Sequence, residues 1–409
     1  GRIVHQQQKS FGGYCHSLED YWRCCVEERC ILMGKPIKVL QVMGIVESGG
    51  VEAVIMNYYR HIDKTEVQFD FVMHKGSNSD YIAEVKSMGA KVYEVTPYSN
   101  SIRFIQEVYS IIKKGNYQIV HSNMNALSVF PLFAAYLAGV PERILHNHST
   151  DTKAEPLRTF VKHLLRPFAR LFANQYWACS RLAGEWMYGK KAVVDGKVTI
   201  INNAIDLKQF AFDEAKRNKL RKELGLQDGF VIGHVGRFMK QKNHDFLVDI
   251  FAEVAKKQGN AKLLLIGDGP LREQIENKVK TLGLDEKVIF TGVRSDVADL
   301  YNAMDVFVLP SFYEGLPVVG VEVQANGLPF LCSSNVTREI LISDRIELLK
   351  LEDGVKAWAE KILAFVNKKR IMASKDISKS GFDIEVEAKK LGERYRKLAE
   401  KCIYKIGRI

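Results

Sequence analysis

The chain has 409 residues, enough for two or three domains at roughly 150 residues each, and its 46% hydrophobic, 26% charged composition with 30 Gly and 10 Pro excludes a stapled mini-scaffold, a collagen-like repeat and a disordered polymer. Its 59 basic against 48 acidic residues leave a net charge of +11, which suits nucleic acid, an anionic membrane face or phosphorylated small molecules and by itself selects none of them. The longest apolar stretch, 126–140, is interrupted by Ser128, Pro131 and Gly139 and falls short of the roughly twenty residues a bilayer crossing needs, so no span is predicted.

Cysteines stand at 15, 24, 25, 30, 179, 332 and 402. From Met33 onward only Cys179, Cys332 and Cys402 remain, too few and too scattered for a disulfide framework, and this usage points to a reducing compartment, the cytoplasm. Residues 1–32 have no apolar core of signal-peptide length and no periodicity that continues downstream, whereas Met33-Gly34-Lys35-Pro36 leads straight into a β-branched run. Met33 therefore reads as the start, with 1–32 an extension that carries no structural expectation.

Short apolar runs then alternate with amphipathic stretches, the pattern of β-α units around parallel sheets. Strands are predicted at 37–43, 68–73, 91–95, 118–121, 143–146, 175–178 and 198–201, with helices between them. After a polar, charge-dense passage the rhythm restarts with 230–235, 262–266, 287–290, 306–309 and 329–332. The restart predicts an α/β chain of two doubly wound, Rossmann-like domains, 33–206 and 229–381, joined by a linker at 207–228 and facing each other across a cleft. In 382–409, Ile384, Ala388, Leu391, Tyr395, Leu398 and Cys402 fall on one face of a terminal helix.

In doubly wound sheets the ligand crevice lies beyond the carboxyl ends of the strands, so the loops after strands are where chemistry is sought. The run Pro310-Ser311-Phe312-Tyr313-Glu314-Gly315-Leu316-Pro317 follows a strand and opens a helix extending to Gly327. Pro317 suits the first helical position, Glu314 stands in the loop, Glu322 projects from the helix, and the N–H groups at the helix start face an anion. The strand 230–235 ends in Gly236-Arg237-Phe238-Met239-Lys240-Gln241-Lys242-Asn243. There Gly236 permits a tight turn, and Arg237 with Lys242 offers a fork and a point charge to a diphosphate.

Near the N-terminus, Ser48-Gly49-Gly50 joins the first strand to a helix, as either a plain tight turn or the border of a phosphate or acceptor. That loop lacks the G-x-G-x-x-G spacing, and Gly267-Asp268-Gly269 lacks the third glycine, so nicotinamide chemistry is not supported. The Walker pattern and D-x-D are also absent, which argues against a carboxylate-held metal of that type. His146 and His148 follow a strand, His146 coming first off its carboxyl end and so the better candidate for catalysis. A zinc site would need further Cys or Glu ligands at suitable spacing, and none is nearby.

Gly236-Arg237 with Lys242, Gly267-Asp268-Gly269-Pro270, Phe290-Thr291-Gly292 and, above all, Glu314-Gly315-Leu316-Pro317 with Glu322 resemble the retaining glycosyltransferases of family four, which have the GT-B fold. Asn203-Ala204-Ile205-Asp206 is similar to that family's Asn-Gly-Ile-Asp segment, with Ala204 in place of the usual glycine. The resemblance covers about 37–400, is stronger in the second half, and leans toward bacterial capsule and exopolysaccharide enzymes. It implies a nucleotide-sugar donor, UDP-linked, held mainly by the C-terminal domain. Glu322 would then accept from the ribose hydroxyls and the Gly292-Val293-Arg294 turn would meet the base. Arg237 and Lys242 would grip the diphosphate with help from the N–H groups of Leu316, Pro317's successor Val318 and their loop, beginning at Gly315. Glu314 would bind hydroxyls of the sugar, His146 would touch it near the reacting carbon, and Ser48, Gly49 and Gly50 would border phosphate or acceptor. The acceptor implied is a polysaccharide or lipid-linked saccharide, with no metal, no other cofactor and no nucleic acid required.

Residues 153–170 interleave basic side chains with Leu157, Phe160, Val161, Leu164, Leu165 and Phe168. Such a helix either lies on an anionic membrane, reaching a lipid-linked acceptor, or buries one face against its own domain, with Pro167 kinking it. Two rivals to the transferase reading share the scaffold: a nucleotide-sugar epimerase, which would act without an acceptor, and a non-catalytic nucleotide-sugar-binding protein.

Overall fold

A computed structural model of the chain describes residues 36–47, 49–149, 156–368, 370, 377 and 379–406, leaving aside the side chains of 156–159 and 402–406. The extension 1–32, Met33, Ser48, Lys153 and the side chain of Cys402 lie outside the described residues. Thirteen strands are seen among those described: β1 (Ile37–Val42), β2 (Val67–His74), β3 (Val92–Val95), β4 (Ile119–Ser122), β5 (Glu142–Asn147), β6 (Gln175–Ala178), β7 (Val198–Ile200), β8 (Phe230–Val235), β9 (Ala261–Ile266), β10 (Val288–Gly292), β11 (Val306–Leu309), β12 (Phe330–Ser333) and β13 (Ile346–Leu349).

They form two sheets, in the orders β3-β2-β1-β4-β5-β6-β7 and β10-β9-β8-β11-β12-β13. Every named pairing is parallel. Helices between strands cover both faces of each sheet, which is why β4 and β11 are buried at every position and β11 reads as an unbroken apolar run rather than an alternating one. In each sheet the order reverses once, between β1 and β4 and between β8 and β11. The chain thus contains two doubly wound lobes of the GT-B type, and the crevice at each reversal receives the loops singled out above.

Two local expectations are corrected. Pro317 is the N-cap of the helix Val318–Ala325, with extended ψ of 122°, rather than its first residue. A sixth strand, β13, completes the second sheet at its edge. Its half-buried Ile346-Glu347-Leu348 lacks the apolar run that marked the inner strands.

The passage 207–228 holds the helix Glu214–Glu223 against the C-terminal lobe. Arg217 and Arg221 both clasp Asp305, at 2.6 and 2.5 Å, and Asp305 also accepts from the Val231 amide at 2.7 Å. The terminal helix Ile384–Ile406 returns to the N-terminal lobe and packs on β1, β2, β4, β5 and the helix Gly50–His61. Its face is the one predicted: Ile384, Ala388, Leu391, Tyr395 and Leu398 are buried. The two passages between lobes run side by side, since Ile205 N donates to Phe382 O at 3.0 Å and Ile384 N to Ile205 O at 3.1 Å.

Candidate active site

At the β8/β11 reversal the chain folds two loops onto each other. Lys242 Nζ lies 2.7 Å from Glu314 Oε1, and the Gln241 side-chain amide donates to Glu314 Oε2 and to Tyr313 O, each at 3.1 Å. Asn243 adopts the left-handed conformation (φ 58°) and donates to Pro310 O at 3.1 Å, closing the loop before the helix His244–Lys257. Glu314 and Lys242 are almost buried, so each charge is held by its partner rather than by water. Glu322, on the Val318–Ala325 helix, is 9% exposed and accepts the Tyr301 hydroxyl at 2.6 Å. Burial pushes its carboxyl up to about 7, against the opposing effect of that hydrogen bond.

Gly236, Gly267 and Gly292 end β8, β9 and β10 in one row, with Gly267 N donating to Gly292 O at 2.9 Å. At Gly267 (φ 131°) a Cβ would overlap the Gly236 carbonyl, so only glycine allows the strand ends this close. Beyond them Val293 is exposed and Arg294 forks onto Asp296, at 2.7 and 2.6 Å.

On the facing lobe, Gly49 caps the helix Gly50–His61 and a Cβ there would overlap the Glu52 carboxylate, which is folded back onto the helix start. Burial raises that carboxyl above its ordinary range. The turn at Gly49 and Gly50, read as either a plain tight turn or the border of a phosphate or acceptor, thus lies against the chain's own acid. His146 stands one residue before the end of β5, its ring tilted against that of His148 with centres 4.0 Å apart. Burial holds His146 far below the ordinary imidazole range and His148 down to about 3, so both are neutral.

The lobes touch where these loops meet. A Cβ on Gly315 would lie 2.5 Å from His148 O, Ser180 Oγ donates to Gly315 O at 3.3 Å, and Asn203 Nδ2 donates to Leu316 O at 2.6 Å. Gly50 faces Val318, and Glu47 pairs with Arg237 across the cleft. The structure thus gathers Gly49, Gly50, Arg237, Lys242 and Gly315–Val318 where the lobes meet, with His146 buried beside His148, whose carbonyl faces Gly315. Both cations expected to stand ready for a diphosphate are already neutralised, Arg237 by Glu47 and Lys242 by Glu314.

Four contributors were not singled out as site residues in the sequence. Tyr301 orders Glu322, Gln241 orders Glu314, and Asn203 holds the loop at Leu316; Glu339 accepts Arg181 N and Leu182 N, at 2.9 and 3.2 Å, capping a helix of the opposite lobe. Only Asn203 lay within a segment quoted for its resemblance. Among the described residues no group of three or more His, Cys, Asp or Glu side chains is placed to hold a metal ion.

The family described as "Glycosyl transferases group 1" matches residues 229–368, and "Glycosyltransferase Family 4" matches residues 48–209. EpsF of Bacillus subtilis (strain 168), a protein named as a glycosyltransferase, is 34% identical over 364 residues, 85% of this chain and 93% of that protein. The UDP-Gal:alpha-D-GlcNAc-diphosphoundecaprenol alpha-1,3-galactosyltransferase of Escherichia coli is 27% identical over 337 residues, 78% of this chain and 85% of that one. Among solved structures, Anabaena HepE in complex with UDP-glucose superposes with a TM-score of 0.72 at 19% identity, covering 88% of this chain and all of that one. With both lobes matched to their family descriptions and a relative aligned along nearly its full length, this chain belongs to the family-four glycosyltransferases.

Proposed function

We propose that the protein transfers a sugar from a UDP-sugar donor to a polysaccharide or lipid-linked saccharide acceptor in cell-surface polysaccharide synthesis, with retention of anomeric configuration and without a metal. The observation that carries this reading is the convergence of the buried Lys242–Glu314 pair with the His146 strand end across the lobe contact at Gly315. The galactosyltransferase relative, named for a UDP-sugar donor and a diphosphoundecaprenol-linked acceptor, supports the substrate classes.

In this reading the lobe at 229–381 takes the donor and the lobe at 33–206 the acceptor, with 207–228 between them. Glu322 accepts from the ribose hydroxyls, the 292–294 turn meets the base, Glu314 binds sugar hydroxyls and His146 touches the sugar near the anomeric carbon. The acceptor hydroxyl attacks that carbon on the face from which the diphosphate departs. The bond from carbon to phosphate oxygen breaks with its electron pair going to UDP, and a phosphate oxygen takes the acceptor proton. Charge building on UDP meets Arg237, Lys242 and the N–H groups of Leu316 and Val318. Lys242 has three N–H donors, so it engages phosphate while keeping Glu314.

The helix Pro156–Phe172 supports contact with a membrane. Ala169 is buried inward, while Phe160, Val161, Leu164, Phe168 and Leu171 are exposed beside the exposed Arg170 and continue onto Tyr136 and Leu137 of the neighbouring helix. An apolar stripe with a basic edge suits the headgroup boundary of an anionic leaflet on the cytoplasmic side. No helix among the described residues is long and apolar enough to cross a membrane.

A nucleotide-sugar panel screened by thermal shift, followed by NMR of the product, tests the transfer reading. A stabilising UDP-sugar and an α-linked product from an α-linked donor are expected. Stabilisation by no nucleotide sugar, or an inverted product, overturns it.

A further inference from the structure

Behind His146 lies a buried file of hydrogen bonds. Tyr395, on the terminal helix, has its hydroxyl 3.1 Å from Gln41 Nε2 and 2.7 Å from His121 Nδ1, and His121 Nε2 lies 3.0 Å from His146 Nδ1. Gln41 Oε1 accepts from Asn123 Nδ2 at 2.9 Å, and Asn123 Oδ1 faces His148 Nε2 at 3.0 Å. Gln41, His121, Asn123, His146 and Tyr395 are all buried, with Trp177 edge-on to both His121 and His146.

The donor inventory gives the file a direction. The Gln41 amide nitrogen can only donate to the Tyr395 oxygen, and the buried Tyr395 hydroxyl then places its own proton on its other neighbour, His121 Nδ1, rather than leave it without an acceptor. A neutral imidazole carries one N–H. With Nδ1 accepting, His121 keeps its proton on Nε2 and donates it to His146 Nδ1, which leaves the His146 proton on Nε2. That atom is buried and meets no protein partner among the described residues. Burial holds both rings well below the ordinary imidazole range, so neither is charged near neutrality.

We propose that Tyr395 and His121 are positioning residues that fix His146 as its Nε2–H tautomer, a single directed donor to an oxygen of the donor sugar. This rests on the reading of His146 as a sugar contact and adds what sets its tautomer. A buried N–H without an acceptor is costly, and a sugar oxygen at that point relieves the cost only when the proton is on Nε2.

Nitrogen-15 histidine NMR of the full chain, assigned with His146→Ala, reads the tautomer directly: the Nε2–H form is expected in the wild type and a mixture in Tyr395→Phe. In turnover, His121→Phe lowers kcat by about 10- to 100-fold, the scale of losing a residue that orients a reacting histidine, with donor KM within about threefold. His121→Gln, whose amide nitrogen can donate to His146 Nδ1, restores most of it. Combined with His146→Ala, His121→Phe adds little, because the two act through one group. The proposal is overturned by an Nδ1–H tautomer in the wild type, or by a full-sized loss from His121→Phe when His146 is already alanine. Should His121→Phe not fold, Tyr395→Phe carries the test, with a loss in kcat of about 3- to 10-fold expected from removal of one hydroxyl and none overturning it. Normal turnover by His146→Ala removes the sugar-contact reading, while the NMR result still decides the hydrogen-bond file.

Discussion

At the residue scale, the Glu322 carboxyl titrates where few carboxyls do, because burial pushes it up to about 7. In the proposed role as acceptor of the ribose hydroxyls its ionised form is the better acceptor, so donor affinity is expected to fall as pH drops from 8 to 6, as calorimetry across that range would record. Tyr301→Phe removes the hydrogen bond that opposes the rise, so the loss of affinity moves to higher pH. The Arg237–Glu47 pair is half exposed, a setting in which an ion pair contributes little. Glu47→Gln therefore leaves stability within about 0.5 kcal/mol and lowers donor KM by freeing Arg237, which steady-state kinetics would show. Glu314 and Glu322 stood out in the sequence because Gly315 and Pro317 mark one strand-to-helix turn, and Lys242 because it follows Gly236 and Arg237 at the end of another strand. Tyr301 and His121 were not: their partners are 21 and 25 positions away and meet them only through the sheet order.

At the scale of elements, the inner strands were legible because burial on both faces leaves mostly apolar, β-branched runs, and β13 was hidden because its edge position leaves it half-buried. The charge density of 207–228 reads as a linker for a physical reason: the helix Glu214–Glu223 docks by charge rather than by an apolar stripe. Asp305→Ala would leave Arg221 and Arg217, largely buried at 11% and 21% side-chain exposure, without their acid. A loss of about 2–4 kcal/mol is expected from breaking such a pair, measured as a lower urea midpoint at unchanged slope. The helix Pro156–Phe172 gives a sharper contrast. Replacing exposed Phe160, Leu164 and Phe168 with serine is expected to leave thermal stability unchanged while abolishing sedimentation with anionic vesicles; binding that persists in the triple variant, or that ignores lipid charge, counts against the membrane contact.

For the whole molecule, the contact between Gly315 and the His148 carbonyl sets how near the lobes approach. Gly315→Val places atoms where that carbonyl lies, so the lobes stand apart: a larger radius of gyration by X-ray scattering and a loss of turnover of at least about 100-fold are expected, since misplacement by about 1 Å already costs that much. Both connections between the lobes pass through one point, where Ile205 and Asp383 bridge and Asn202 donates to the Gly381 carbonyl at 2.9 Å. Two strands pinned together there behave as a single pivot, like a door hung on one pin. A swing about that line is the opening such a joint allows, and a lone covalent tether along the far rim is expected to lock the jaws and halt turnover.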